Sequence, residues 1–317
     1  MFDYKGKYNY KSQIHRVNAL RVVLIFLAIA LAIGIPLFLI SGIQSKKNNE
    51  RRHILQAWES GAYDAAYFLS TEALASKPMD YFLLTISGFS AFQLGISQLN
   101  NTDTLHYIDQ CILNLRKAIQ LKEAATDGRL FYVLGKAYYY KGEEYIDLTI
   151  AYLEKARELL YEAPDIPEYL GLAYAASGDF RSSVEAFTLA LNPAFVRTSV
   201  QPSDLLLLSI ARSYFELGEM ETARAYLLHC LEISKDSKTI ITARFLLAEI
   251  YINTGNDDDA EKQYKFVLDD TGYNGEAYYQ LGEIYARRGN TVGARAQWRS
   301  ITASDPLYQK AQARLRL

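Results

Sequence analysis

Beyond residue 47 the chain alternates between blocks in which apolar side chains recur every three or four residues and brief polar breaks marked by glycine. That period puts the apolar residues on one side of an α-helix, and each block is long enough for roughly three turns. Before residue 47 the pattern differs. Val22 to Ile40 is an uncharged apolar run, preceded by Lys5, Lys7, Lys11, Arg16 and Arg21 and followed by Lys46, Lys47, Arg51 and Arg52. A helix of that length spans about 28 Å, close to the ~30 Å of a hydrocarbon core. The run therefore predicts a transmembrane signal-anchor helix at 22–43 behind a basic tail at 1–21, with lipid contact through 22–40. A cleaved leader is the competing reading, but leaders carry shorter apolar runs of ~7–15 residues. Basic residues on both flanks favour an inside tail only slightly. That orientation makes the protein single-pass with 44–317 in a bacterial periplasm, the alternative being a cytoplasm-facing domain.

The blocks after residue 47 repeat. Leu281-Gly282 is followed by Tyr285, Gly289, Ala294 and Trp298, and Asp305-Pro306 closes the unit. The same frame fits Leu170-Gly171, Tyr174, Gly178, Ala186 and Ala190, and again Leu134-Gly135, Tyr138, Gly142, Leu153 and Ala156. Copies with Ala in place of the first Gly start at Ala211 and Ala248, and fragments fit around Gly61 and around Gly88 with Gly95. The frame divides the chain into units near 47–80, 81–126, 128–163, 164–197, 204–237, 241–274 and 275–308. Each unit reads as two short amphipathic helices. A small residue lets them approach, and a second glycine sits in the turn, where positive φ costs glycine little. No unit can bury its apolar face alone, so stacking supplies the stability. Residues 307–317 read as a basic capping helix, and 96–109 and 192–204 as loops.

This pattern resembles the tetratricopeptide repeat (TPR) over about 47–308. The resemblance implies an all-α protein: after the single N-terminal transmembrane helix, an α-solenoid of about seven helix pairs and a capping helix. It further implies a concave groove, lined by the first helices of successive units, that binds extended or helical peptide. Carried onto this chain by spacing, the groove residues are Phe89 and Phe92; Tyr132, Lys136, Tyr139 and Tyr140; Arg212 and Phe215; Phe245 and Glu249; Tyr279, Glu283 and Arg287. Tyr138, Tyr139 and Tyr140 cannot all be core, since neighbours on a helix point about 100° apart. The architecture is similar to bacterial envelope TPR proteins, which implies a membrane-anchored scaffold or adaptor that assembles a complex, of flagellar-collar or translocon-associated type. The alternative is a transport receptor or chaperone-like co-factor for translocating proteins.

Composition narrows the chemistry. The net charge is -2, and once the basic tail is set aside the remainder is more acidic still, which argues against nucleic acid as a partner. Four histidines stand at no metal-ligand spacing, and no phosphate loop or nucleophile motif occurs. The chain thus reads as a non-enzyme without metal or cofactor, whose partners are other proteins; homo-oligomerisation is left open. Asp257-Asp258-Asp259 reads as a helix N-terminus rather than a calcium loop. Cys111 and Cys230, in distant units, read as buried packing residues.

Overall fold

The computed structural model describes residues 49–192 and 202–316. These residues form a stack of helix pairs. The first pair joins helical residues 49–59 (α1) to α2 (Tyr63–Leu74), and the second joins α3 (Tyr81–Ile96) to α4 (Asn101–Ala118). The next are α5 (Gly128–Lys141) with α6 (Ile146–Glu158), and α7 (Ile166–Ala176) with α8 (Phe180–Ala190). Then come α9 (Asp204–Glu216) with α10 (Met220–Ile233), α11 (Ser237–Asn253) with α12 (Asp257–Thr271), and α13 (Gly275–Arg287) with α14 (Thr291–Arg299). A last helix, α15 (Tyr308–Arg316), lies against the final pair.

Local chemistry sets these boundaries. Gly61, Gly178, Gly218, Gly255 and Gly289 take φ between 75° and 82° between the helices of their pairs, a conformation that opposes a Cβ. Side-chain caps open many of the helices: Asp179, Asn256, Asn274 and Asn290 each accept an N–H three residues on. Such a cap contributes about 1 kcal/mol. Within a pair, a small residue on the first helix receives a large one from the second. A Cβ on Gly135 would come within 2.6 Å of Leu153, and one on Gly171 would strike the Phe187 ring. Phe187 is 1% exposed.

Each second helix packs on the next first helix, while first helices also touch one another: α3 with α5, α5 with α7, α7 with α9 and α9 with α11. Consecutive second helices make no comparable contact. The first helices therefore form the closer-spaced, inner layer, and that layer is the concave face.

Several expectations change. Among the described residues no helix is long and apolar enough to cross a membrane. The most apolar helix, α3, is sixteen residues long and is buried between its neighbours. The expected span at 22–40 and the tail at 1–21 lie outside the described residues. Over the described residues the architecture is accordingly corrected to a helical solenoid, none of whose helices can cross a membrane. The single-pass membrane location derived from that span, with its periplasmic placement, is unsupported. The stretch 96–109 is not a loop either. Asn100 caps the amide of Asp103 at 2.9 Å, and the inserted residues lengthen α4 instead. Gly95 is no turn residue: it lies in the last turn of α3, where a Cβ would meet Ile108 at 3.2 Å. Most of the expected loop at 192–204 lies outside the described residues.

Candidate functional site

The inner face is uneven, and its most developed part spans α1, α3, α5 and α7. A pocket of about 500 Å³ opens between the first three of these helices. Leu55 and Trp58 enter it from α1, Phe82, Thr85 and Phe89 from α3, and Tyr132 from α5. Trp58 stands 6.1 Å from Phe89, ring centre to ring centre. The Thr85 hydroxyl is buried beside the Tyr81 side chain, one turn earlier on α3.

Beside the pocket a polar cluster ties α5 to α7. The Tyr132 hydroxyl donates to the Asp165 carboxylate at 2.9 Å. The Lys136 ammonium donates to Tyr132 Oη at 3.1 Å and to Asp165 Oδ2 at 2.7 Å. That ammonium also lies 4.6 Å from the Tyr169 ring centre, 5.1 Å from Tyr132 and 5.7 Å from Phe92. Cation and ring faces attract, more strongly where water is excluded, so Lys136 is held in place and hidden. Tyr140 closes the cluster: its hydroxyl is 3.2 Å from that of Tyr169, and its ring stands edge-on to Phe92. Burial, and then the Asp165 charge, push the Tyr132 hydroxyl well above the usual tyrosine range, so it remains a donor. Burial likewise raises Tyr139, which sits edge-on to Tyr169 at 5.1 Å.

Further cations around the pocket are matched too. Arg51 pairs with Asp80 at 2.8 Å and Arg129 with Asp127 at 2.6 Å. Burial works against the charge on Asp127, but bonds from Arg129 and Tyr81 outweigh it and hold its carboxyl below the ordinary range. Glu168 differs. This half-buried carboxylate on α7 makes no hydrogen bond or ion pair among the described residues, and burial raises its carboxyl above the ordinary range.

The structure brings together Phe92, Tyr132, Lys136, Tyr139 and Tyr140 and scatters the rest. Phe89 and Phe92 are buried, their edges forming pocket wall. Phe215 packs on the core around α9 and α10, and Phe245 leans on Tyr264 at 5.5 Å. Arg212 and Glu249 are exposed on α9 and α11. Tyr279 is 4% exposed and belongs to the core under α15, whose Lys310 ammonium lies 4.3 Å from its ring centre. Glu283 accepts two bonds from Arg314 of α15. Arg287 turns away to Asp257 of α12 at 2.7 Å. The aspartates at 257–259 form the first turn of α12 and are engaged by Arg287, Arg288 and Lys262. Cys111 and Cys230 are both buried and free.

Leu55, Trp58, Thr85, Asp165 and Glu168 were not among the expected groove residues, yet the repeat frame held a signal for most of them. Leu55 and Trp58 stand one and four residues after Ile54, as Phe89 and Phe92 do after Gly88. Thr85, Tyr132 and Glu168 each precede the small residue of their unit by three. A search for aromatic and charged residues one turn apart passes over a threonine, and over a unit whose other groove positions are Leu172 and Ala175.

Residues 206–237 and 275–300 each match a family model described as a tetratricopeptide repeat. The anaphase-promoting complex subunit CDC16 of Saccharomyces cerevisiae is 28% identical over 162 residues, 49% of this chain and 18% of that protein. The chain thus spans under a fifth of that relative. Among solved structures, the C-terminal part of a TPR repeat-containing protein from Cytophaga hutchinsonii is similar with a TM-score of 0.60. It is 16% identical, covering 84% of this chain and all of that one. PilW, a type IV pilus biogenesis factor, is similar with a TM-score of 0.54 and 17% identity, covering 72% of this chain and 98% of its own. Two segments of the chain thus match the tetratricopeptide repeat, and the solved structures share its helical-repeat fold.

Proposed function

We propose that the chain is a protein-interaction scaffold that holds a segment of another protein on the inner face of its first four helix pairs and so joins that protein into a complex. The observation that carries this reading is the aromatic-walled pocket between α1, α3 and α5, continuous with the Tyr132–Lys136–Tyr140 cluster. Aromatic anchors in a concave, largely apolar site are what peptide recognition uses, because a ring buries much area for few frozen torsions. By its name the yeast relative is a subunit of a larger complex, which agrees with a role in assembly.

Site-specific photo-crosslinking tests this. A crosslinker placed at Gln93 or Tyr140 faces the groove, whereas one at Leu113 or Leu228 projects from the exposed side of a second helix. The groove positions should capture the same partner, and the outer positions should not. Capture from the outer positions alone would move the binding surface to the convex side.

A further inference from the structure

A second cavity, of about 490 Å³, opens at the edge of the stack where the second helices α6 and α8 end. Tyr161, Pro164, Ile166, Leu170, Ala186 and Leu189 make its wall largely apolar, and Arg157 and Glu162 add one charge of each sign. Leu160 stands next to this hollow without lining it. It is 86% exposed, and at φ 57° it is the only non-glycine with positive φ among the described residues. Its amide bonds the Arg157 carbonyl at 2.9 Å, and the Tyr161 amide bonds the Ala156 carbonyl at 3.0 Å. That is the left-handed helix ending in which glycine is usual, as Gly272 is at the end of α12. A large apolar residue there is unfavourable twice over: its backbone is strained and its surface lies in water. So little of Leu160 touches its own chain that neither cost is offset there.

An exposed apolar knob beside an apolar hollow is self-complementary. A two-fold axis passing between them carries each knob into the other copy's hollow, because such a contact sets residue i against j and j against i. The charges agree with that symmetry. Glu162 makes no ion pair among the described residues. Arg157, its side chain 56% exposed, holds Glu154 through one nitrogen at 2.6 Å, and a guanidinium has further donors to give. The axis that exchanges the leucines also brings Arg157 of each copy toward Glu162 of the other. We propose that the chain pairs with a second copy of itself at this edge, Leu160 of each entering the hollow of the other. One loop and one hollow a side cover less than the about 800 Å² per partner of a standard interface, so the pair forms in the micromolar range. Tyr161 is the one residue that lines both this hollow and the inner-face pocket, so pairing leaves the other walls of the groove open. A pair therefore presents two grooves, whatever each of them binds.

Sedimentation velocity of the full chain from about 1 to 100 µM tests this, and should show monomer giving way to dimer. Leu160→Gly should weaken pairing by about tenfold or more while melting no lower than the parent, since glycine favours the φ that Leu160 is made to adopt. Leu189→Arg, at the exposed wall of the hollow, should weaken pairing likewise. A mixture of these two variants should recover part of it, because the intact hollow of the first accepts Leu160 of the second. Arg157→Glu should weaken pairing by about threefold, and adding Glu162→Arg to the same chain should restore it. A chain that stays monomeric throughout, or association that Leu160→Gly leaves unchanged, would overturn the proposal. So would early melting of Leu160→Gly, which would give the side chain a role in its own fold. Failure of the reversed charges to restore pairing would rule out the two-fold contact. A monomeric chain whose photo-crosslinker at position 160 captures a different protein would assign the hollow to that protein instead.

Discussion

The second-to-fourth and the seventh helix pairs place chemically similar side chains at equivalent positions and use them differently. Tyr132 and Tyr279 both precede the small residue of their first helix by three. Tyr132 lies on an open inner face with its hydroxyl on Asp165, whereas Tyr279 is sealed beneath α15. Lys136 and Glu283 both follow the small residue by one. The first holds a cluster beside a pocket, and the second ties down the last helix through Arg314. What distinguishes the two ends is whatever packs on the inner face next. Toward α7 the following first helix leaves a groove, while at α13 a short helix covers the same positions. Place in the repeat thus fixes which way a side chain points, and the neighbouring element decides whether it can serve a partner.

The largest test of that contrast is Tyr279→Ala, which should cost about 3–5 kcal/mol of stability in urea unfolding, as for other buried aromatics. A cost under about 1 kcal/mol would mean that α15 does not seal the stack. At the open end, Leu55→Ala and Tyr140→Ala should weaken binding of the crosslinked partner by about 2 kcal/mol, roughly thirtyfold. Both residues are more than a third exposed, so melting should barely move. Early melting of these two variants would erase the distinction between the ends.

Next in size is Lys136→Gln. It leaves Asp165 with the Tyr132 hydroxyl but without its cation, at a cost of about 1–2 kcal/mol. That lies between the values for exposed and fully buried pairs. Arg129→Gln, at a pair whose arginine is 58% exposed, should cost less than about 1 kcal/mol. Equal losses would show that the rings around Lys136 add nothing.

The smallest effects are the pH profiles of two glutamates. Glu168, raised by burial, lowers stability once pH climbs through the ordinary carboxylate range, because the unfolded chain ionises first. Glu168→Gln should therefore melt slightly higher at pH 7, and the gain should vanish below about pH 4. Glu261 on α12 behaves oppositely. Burial pulls it up, but bonds from Lys265, Tyr285 and Arg288 prevail and hold it at about 2. Its contribution is present above the ordinary range and is lost as pH falls toward that value. Glu261→Gln should melt lower at pH 7 and converge with the parent in strong acid. Parallel profiles would refute the assigned environments.

Much of the scaffold was legible in the sequence because its determinants are local. Gly178 and Gly289 announce their turns through a backbone conformation, and Gly171 announces a close approach through the side chain it lacks. Gly95 misled for the same reason: a glycine that enables a turn and one that makes room for Ile108 look alike until the partner helix is known. The groove was only partly legible. Lys136 and Tyr132 could be placed on the inner face by spacing, but their common partner Asp165 lies on another helix. The burial of Tyr279 depends on α15, a contact that no period encodes. The apolar run at 22–40 was read from hydropathy alone, and the described helices supply no membrane-crossing counterpart.

The close approach within each pair bears on how such an array can change over generations. Gly88 faces Leu115, Gly135 faces Leu153, Gly171 faces Phe187 and Gly282 faces Trp298, so the hollow is constant while its occupant differs in size and shape. Each unit thus fits its own joint, with a different side chain in the same hollow. A crossover falling between the two helices of a pair would match one hollow to another unit's occupant, and an indole would arrive where a leucine had fitted. Recombination breakpoints that survive should therefore fall between pairs rather than within them. The cellular trade in such modules is then in whole pairs, with the joint inherited as a single character.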